Sequence, residues 1–203
     1  MIKHFLLFSL TVLLCFSSCN TFSGKEKKDS LGKESGNTPK LENAELIFIN
    51  REAQMMIPRH MLPTDALNEQ ASVQYIDSVQ ELYIIVIEES KEDFIKSMTY
   101  ENIYNPAKSV ELNYREIQMK NLLGTVEAVG TPQIRKTQVN HLDAELVDFD
   151  GYSGNIEEKI HYKFGFIEGR TNMYMVMTWT LAEYKSKNND EMEGMIYSFG
   201  MRK

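Results

Sequence analysis

Thiols are almost absent from this 203-residue chain. Its two cysteines, Cys15 and Cys19, both fall in the N-terminal stretch "LTVLLCFSSCN". Beyond that stretch there is no cysteine to serve as nucleophile, thiolate metal ligand or redox centre, and no disulfide can form. Long hydrophobic runs are scarce as well. Phe5 to Phe16, interrupted by Ser9 and Thr11, is about a dozen residues, short of the roughly 20 a membrane-spanning helix needs. An excess of positive charge is missing: the net charge is −7, with 22 Lys and Arg against 29 Asp and Glu, so no cationic face is available for phosphate backbones and nucleic acid is a poor partner. No internal repeat is visible, which excludes a solenoid or propeller.

What the N-terminus does contain is a pattern. Lys3 and His4 precede the apolar run, and the small residues Ser17 and Ser18 follow it, as in a secretory signal peptide. Phe16-Ser17-Ser18-Cys19 resembles a bacterial lipobox, in which two small residues precede a cysteine that is acylated and becomes the mature N-terminus; Phe16 stands where an aliphatic residue is usual. The expectation is a signal over residues 1–18, a lipidated Cys19 with palmitate-type chains, and a mature chain without a free thiol.

Residues 20–41 hold five lysines against three acids and are rich in Gly, Ser and Asn, the composition of a disordered tether with an average reach of roughly 25–30 Å. With Cys19 this gives a tether over 19–41 and a single domain over 42–203, whose 16 Lys and Arg against 26 Asp and Glu leave it at −10. An acidic domain on a basic tether suits a protein held at a lipid surface by its anchor.

Within the domain, hydrophobic periodicity separates strands from helices. "AELIFI" (44–49) and "AQMMIP" (53–58) read as a hairpin across "NRE", ended by Pro58; "ASVQYID" (71–77) and "ELYIIVIEE" (81–89) form a second β pair. Ser90 with Asp93 signals a helix start, with Phe94 and Met98 on one face. After "NPA" a second helix is expected from about Ser109 to Leu123, with Val110, Tyr114, Ile117 and Leu122 at helical spacing and Gly124 as C-terminal cap. Four β runs follow, "TVEAV", "QIRKTQV", "AELVDF" and "EKIHYKFGFI", then "MYMVMTWTL" (173–181) across "IEGRTN". A terminal helix from about Asp190 carries Met192, Met195, Ile196 and Phe199. Successive hairpins imply an antiparallel β-sheet covered by helices, an α+β three-layer sandwich.

The early hairpin ending in "MMIP", the segment "ASVQYIDSVQELYIIVIEE", the late pair "HYKFGFIEGRTNMYMVMTWTL" and the terminal "MIYSF" together resemble the PsbP/DcrB-like family over most of residues 44–200. That family includes bacterial domains of unknown function and an extrinsic protein of oxygenic photosystems. The resemblance implies an exported, non-catalytic binding or assembly protein.

Candidate chemistry is thin. His60, His141 and His161 are the histidines beyond the signal, and "GYSG" at Ser153 is the nearest approach to a nucleophile turn, without G-x-S-x-G. From Asp148, "DFDGYSGN" lacks the calcium-loop pattern, with Tyr152 fifth, Ser153 at the glycine position and Lys159 twelfth, and reads as an Asp-Gly turn. Met173, Met175 and Met177 share a strand face with Trp179. Thioethers can hold Cu(I), but Tyr174, Val176 and Thr178 alternate with them, and a strand apolar on both faces is a central core strand. Tyr100, Tyr104, Tyr114, Tyr152 and Tyr162 can border a groove or anchor core edges.

No catalytic, cofactor or metal residue is assigned, and no cofactor is expected. The expectation is a lipid-anchored, non-enzymatic protein of the bacterial cell envelope, on its periplasmic or surface side, whose domain binds or helps assemble another envelope component, with an envelope protein as partner. The alternative is an exported binding module for a soft metal or small apolar ligand.

Overall fold

The computed structural model describes residues 41–154 and 156–203, so the signal, Cys19 and nearly all of the tether expected from sequence lie outside the described residues. Among the described residues the architecture is α+β, with antiparallel sheets, three α-helices and one turn of 3-10 helix (Ala182–Tyr184). β1 (Ala44–Phe48) and β2 (Ala53–Pro58) pair across the "NRE" turn, as the alternation predicts, with Phe48 opposite Gln54. They form a small sheet of their own with a two-residue strand after the last helix, β10 (Gly200–Met201).

The main sheet has seven strands. The short β3 (Leu62–Pro63) lies outside β4 (Val73–Asp77) and β5 (Leu82–Ser90), then come β9 (Asn172–Leu181), β8 (Ile160–Glu168), β7 (Leu142–Ser153) and β6 (Val126–Val139), every pairing antiparallel. β9 is central and was correctly marked by its two apolar faces. "TVEAV" and "QIRKTQV", expected as two strands, are one: β6 runs through with a register shift between Val129 and Gln133, where Gly130 takes φ +79°. "DFDGYSGN" is likewise not a turn up to Ser153. Asp150 and Gly151 sit inside β7, where a Cβ on Gly151 would meet the Val126 side chain at 2.9 Å and the Glu127 carbonyl at 3.0 Å. The connection from β7 to β8 begins only at Gly154, at φ 54°, and the turn between β6 and β7 is Asn140-His141, both at positive φ (47° and 69°).

α1 (Lys91–Tyr100) starts as expected: Ser90 Oγ accepts from the Asp93 amide at 3.2 Å. α2 (Val110–Leu122) ends at Leu123 in ordinary helical conformation, and Gly124 is not a left-handed cap. α3 (Lys185–Ser198) begins five residues earlier than the apolar spacing implied, because its first turns are polar and carry no periodic signal. Among the described residues no helix is long and apolar enough to cross a membrane.

Alternation along the strands splits the core in two. One face of the sheet carries Phe149, Tyr162, Phe164, Phe166 and Met173 under α1 and α2, which contribute Phe94 and Tyr114. The other carries Leu82, Ile84, Leu146, Ile167, Tyr174 and Val176 under α3 and the small sheet, which contribute Met192, Met195, Ile196, Met55 and Ile57. Gly165 lets α3 approach this second face: a Cβ there would lie 2.7 Å from Ile196 Cγ2.

Candidate functional site at the hairpin corner

The residues expected to carry chemistry do not converge. Ser153 and His161 stand on opposite faces of the sheet, since His161 pairs with Asp150 in register and Ser153 sits beside Tyr162 in the α1–α2 layer. His141 is exposed at its turn. Met173 is fully buried, while Met175 and Met177 are half-buried against the same aromatic layer, opposite Phe166 and Phe164. Trp179 stacks on Tyr83 at 5.2 Å. Of the five tyrosines, Tyr114 and Tyr162 are core, Tyr104 edges Phe94, and Tyr100 and Tyr152 are exposed. Among the described residues no group of three or more His, Cys, Asp or Glu side chains is arranged to hold a metal ion.

Two histidine clusters are structural in geometry. His161 is wholly buried, its Nδ1 2.7 Å from Asp150 Oδ1; the carboxylate accepts, so Nδ1 carries the proton and Nε2 is a buried acceptor without a hydrogen bond, 3.7 Å from Asp148 Oδ1. Lys163 and Lys185 compensate the two aspartates. Burial holds His161 below its ordinary value against the pull of Asp150. His60 ties the loop after β2 to β4 and α3, with Nδ1 2.7 Å from Asp77 and Nε2 3.1 Å from Glu191. Burial alone would depress His60, but the bonds to Glu191 and Asp77 outweigh it and raise the imidazole above its ordinary value.

These signs give opposite pH dependences. A raised histidine contributes stability that is complete below the unfolded value of about 6.5 and is lost as pH rises through the folded value; a depressed one costs stability as pH falls below about 6.5. His60→Gln is therefore expected to destabilise the domain most at mildly acid pH, by on the order of 1 kcal/mol or less for so partly exposed a pair, with the deficit shrinking as the solution turns alkaline. Thermal midpoints of both proteins across that range check it. A deficit that does not change with pH would show that the clamp acts without charge.

The arrangement with the character of a binding site is one the sequence reading missed. Two turns and the C-terminal residues meet at one corner: the β1–β2 turn, the β8–β9 turn and the residues after β10. Asn50 Oδ1 accepts from the amides of Glu52 and Ala53, both at 2.8 Å, which fixes the first turn. Gly169 tightens the second, where a Cβ would lie 2.6 Å from the Tyr174 ring and 2.8 Å from the Asn172 carbonyl. Arg202 joins the two: its amide donates to Glu52 O at 2.8 Å and Nη1 to Asn50 O at 3.2 Å in the first turn, and its carbonyl accepts from Arg170 Nη2 of the second at 3.2 Å. Between them opens a depression of about 420 Å³ lined by Asn50, Arg51, Glu52, Glu88, Thr171 and Asn172.

Neutral donors hold its two carboxylates. Glu52 accepts from Tyr174 Oη (3.0 Å) and Thr171 Oγ1 (2.9 Å); Glu88 accepts from Ser72 Oγ (2.9 Å), from Asn172 Nδ2 (3.3 Å) and from Asn50. Burial pushes the Tyr174 hydroxyl up to about 12, so it remains a donor at neutral pH. Fixed acceptors, amides and a free guanidinium around an open depression suit recognition of a polar group. The signal that could have found the corner is its two "turn" strings, "NRE" and "EGRTN", each an arginine with an amide and an acid immediately beside an apolar strand.

A seven-stranded antiparallel sheet between a helical layer and a mixed layer of helix and small sheet defines the class: the fold is PsbP-like. The solution structure of cyanobacterial PsbP (CyanoP) from Synechocystis sp. PCC 6803 is similar to it at TM-score 0.51 and 12% identity, covering 86% of this chain and 98% of that one. A Pseudomonas aeruginosa protein of unknown function, PA94, described as a putative regulator, matches at TM-score 0.46 and 12% identity over 80% of this chain and 99% of its own. The Saccharomyces cerevisiae Ran-binding protein Mog1p matches at 0.44 and 12% over 78% and 95%. In sequence, neither a family model nor a curated protein matches the chain.

Proposed function

We propose that this chain is a lipid-anchored, non-enzymatic protein of the bacterial cell envelope, attached through Cys19, whose domain binds or helps assemble another envelope component. The anchor rests on the signal pattern and on Phe16-Ser17-Ser18-Cys19. The single observation that supports binding is the hairpin-corner depression, whose acceptors are held in place by hydroxyl and amide donors in a form suited to recognition.

Cys19→Ala is expected to abolish incorporation of labelled palmitate and release or stall the protein, whereas Cys15→Ala still yields a labelled, membrane-bound form. Label retained in Cys19→Ala overturns the anchor. For the binding half, a photo-crosslinking residue at Thr171 should trap an envelope component in living cells, and the same residue at exposed Glu157 should not. Equal trapping at both positions would remove the corner as the binding surface.

A further inference from the structure

Six arginines serve the domain, and three of them, Arg51, Arg170 and Arg202, gather at the hairpin corner although they are spread over the chain, whereas Arg59 stands at the other end of the hairpin beside Asn43. Arg59 pairs with Glu45 at 3.2 Å. Arg51, Arg170 and Arg202 have no carboxylate within ion-pair reach among the described residues, and exposed Lys203 lies beside them. Such concentration is unexpected in a domain of net charge −10, where acids are abundant.

Apolar groups share the corner. On the outward side of edge strand β1, Leu46 is 49% and Phe48 58% exposed, with Gln54 opposite Phe48. The Arg202 guanidinium lies 4.1 Å from the Phe48 ring centroid, which holds cation and aromatic side by side. β1 is also the first element after the tether expected at residues 19–41, so this sheet is the part of the domain closest along the chain to Cys19.

We propose that the hairpin corner is the domain's bilayer-facing surface: Arg51, Arg170 and Arg202 contact anionic lipid headgroups while Phe48 and Leu46 enter the interfacial layer. This rests on the anchored reading above and names the envelope component that the corner meets. The reason is electrostatic. An anionic leaflet repels most of a −10 domain and attracts its unpaired cationic corner, so a domain tethered within a few Debye lengths is turned corner-down. Exposed aromatic and aliphatic groups beside the arginines then add the interfacial contribution that a purely electrostatic contact lacks. Glu52 and Glu88 keep their charge and offset part of this attraction, but the side-chain cations Arg51, Arg170, Arg202 and Lys203 outnumber them at the corner.

Two measurements test it. The mature chain with Cys19→Ser, which cannot be acylated, should bind phosphatidylcholine vesicles containing phosphatidylglycerol and not vesicles of phosphatidylcholine alone. Each of Arg51→Gln, Arg170→Gln and Arg202→Gln should lower the partition about fivefold, and Phe48→Ser should lower it as well. Unchanged partition in variants with native thermal midpoints overturns the proposal. The acylated protein is then placed in the same anionic vesicles with a fluorophore at Gln54→Cys or, in the opposite layer, Tyr100→Cys. Nitroxide lipids should quench the Gln54 probe several-fold more than the Tyr100 probe. Equal quenching overturns the docking while leaving the anchor intact, and a protein trapped at Thr171 in cells would make the corner a protein-docking face instead. Failure of the anchor shows separately, as missing palmitate label, and does not affect the Cys19→Ser measurement.

Discussion

Phe199→Ala is expected to cost the domain about 3–5 kcal/mol, a large share of the 5–15 kcal/mol by which such domains are stable. A Met-rich apolar stripe such as the one to which Phe199 belongs can serve either as a core contact or as an exposed docking surface. The structure places it in the core: the ring is fully buried, 4.8 Å from the ring of Tyr174 at 55°. It is not part of the helix. Phe199 is the first residue past α3, at φ −57° and ψ 138°, and its carbonyl accepts from Asn140 Nδ2 at 2.6 Å. It meets the strand that contains Trp179, on the face opposite that residue, the one carrying Tyr174 and Val176.

Truncation would therefore open a cavity where α3, the small sheet and β9 converge, and would loosen the turn that feeds β10. Urea denaturation of the Cys19→Ser chain measures it. A midpoint within error of the unsubstituted protein would disprove the packing.

Phe94→Ala is expected to be comparably damaging, by about 3–5 kcal/mol, for a different reason. Phe94 is the sole buried residue of α1, a ten-residue helix too short to persist in water without tertiary contacts. Its ring meets Tyr114 edge-on at 5.2 Å and Tyr104 at 6.4 Å, so one side chain fastens α1 to α2 and to the connection between them. Loss of that ring should free α1 before the rest of the domain. Hydrogen exchange should show amides of α1 losing protection while those of α3, on the other side of the sheet, keep theirs. Uniform loss of protection would mean that α1 is fastened by the global fold rather than by Phe94.

Both predictions rest on elements whose existence was legible in the sequence and whose geometry was not. The hairpin 44–58, the pair 71–89, α1, α2 and the doubly apolar central strand are local signals: alternation, helical spacing and a Ser-x-x-Asp cap. The α+β class follows from their order. Errors fell where local signal is weak or ambiguous. A bulge at Gly130 looks like a strand break, Asp150-Gly151 looks like a turn until the approach of Val126 explains the glycine, and the polar first turns of α3 show no periodicity.

The corner depression shows the limit most plainly. Asn50, Glu88, Asn172 and Arg202 are separated by many residues, and nothing in each one's neighbourhood announces the others. By itself the sequence determined the composition of the domain, its acidic balance, the alternation that assigns each strand residue to one face or the other, and the signal pattern at Cys19. Those properties depend on residues close together in the chain, where spacing alone decides which side chains can share a face. Only the tertiary structure decided that Ser153 and His161 face apart, that the first hairpin forms a second sheet with β10, and that Arg202, lying on Phe48, meets the two distant turns that carry Arg51 and Arg170. Such meetings are set by the order in which strands pair across the sheet. That order is chosen by the burial of both faces at once, a sum over the whole core that no short stretch contains.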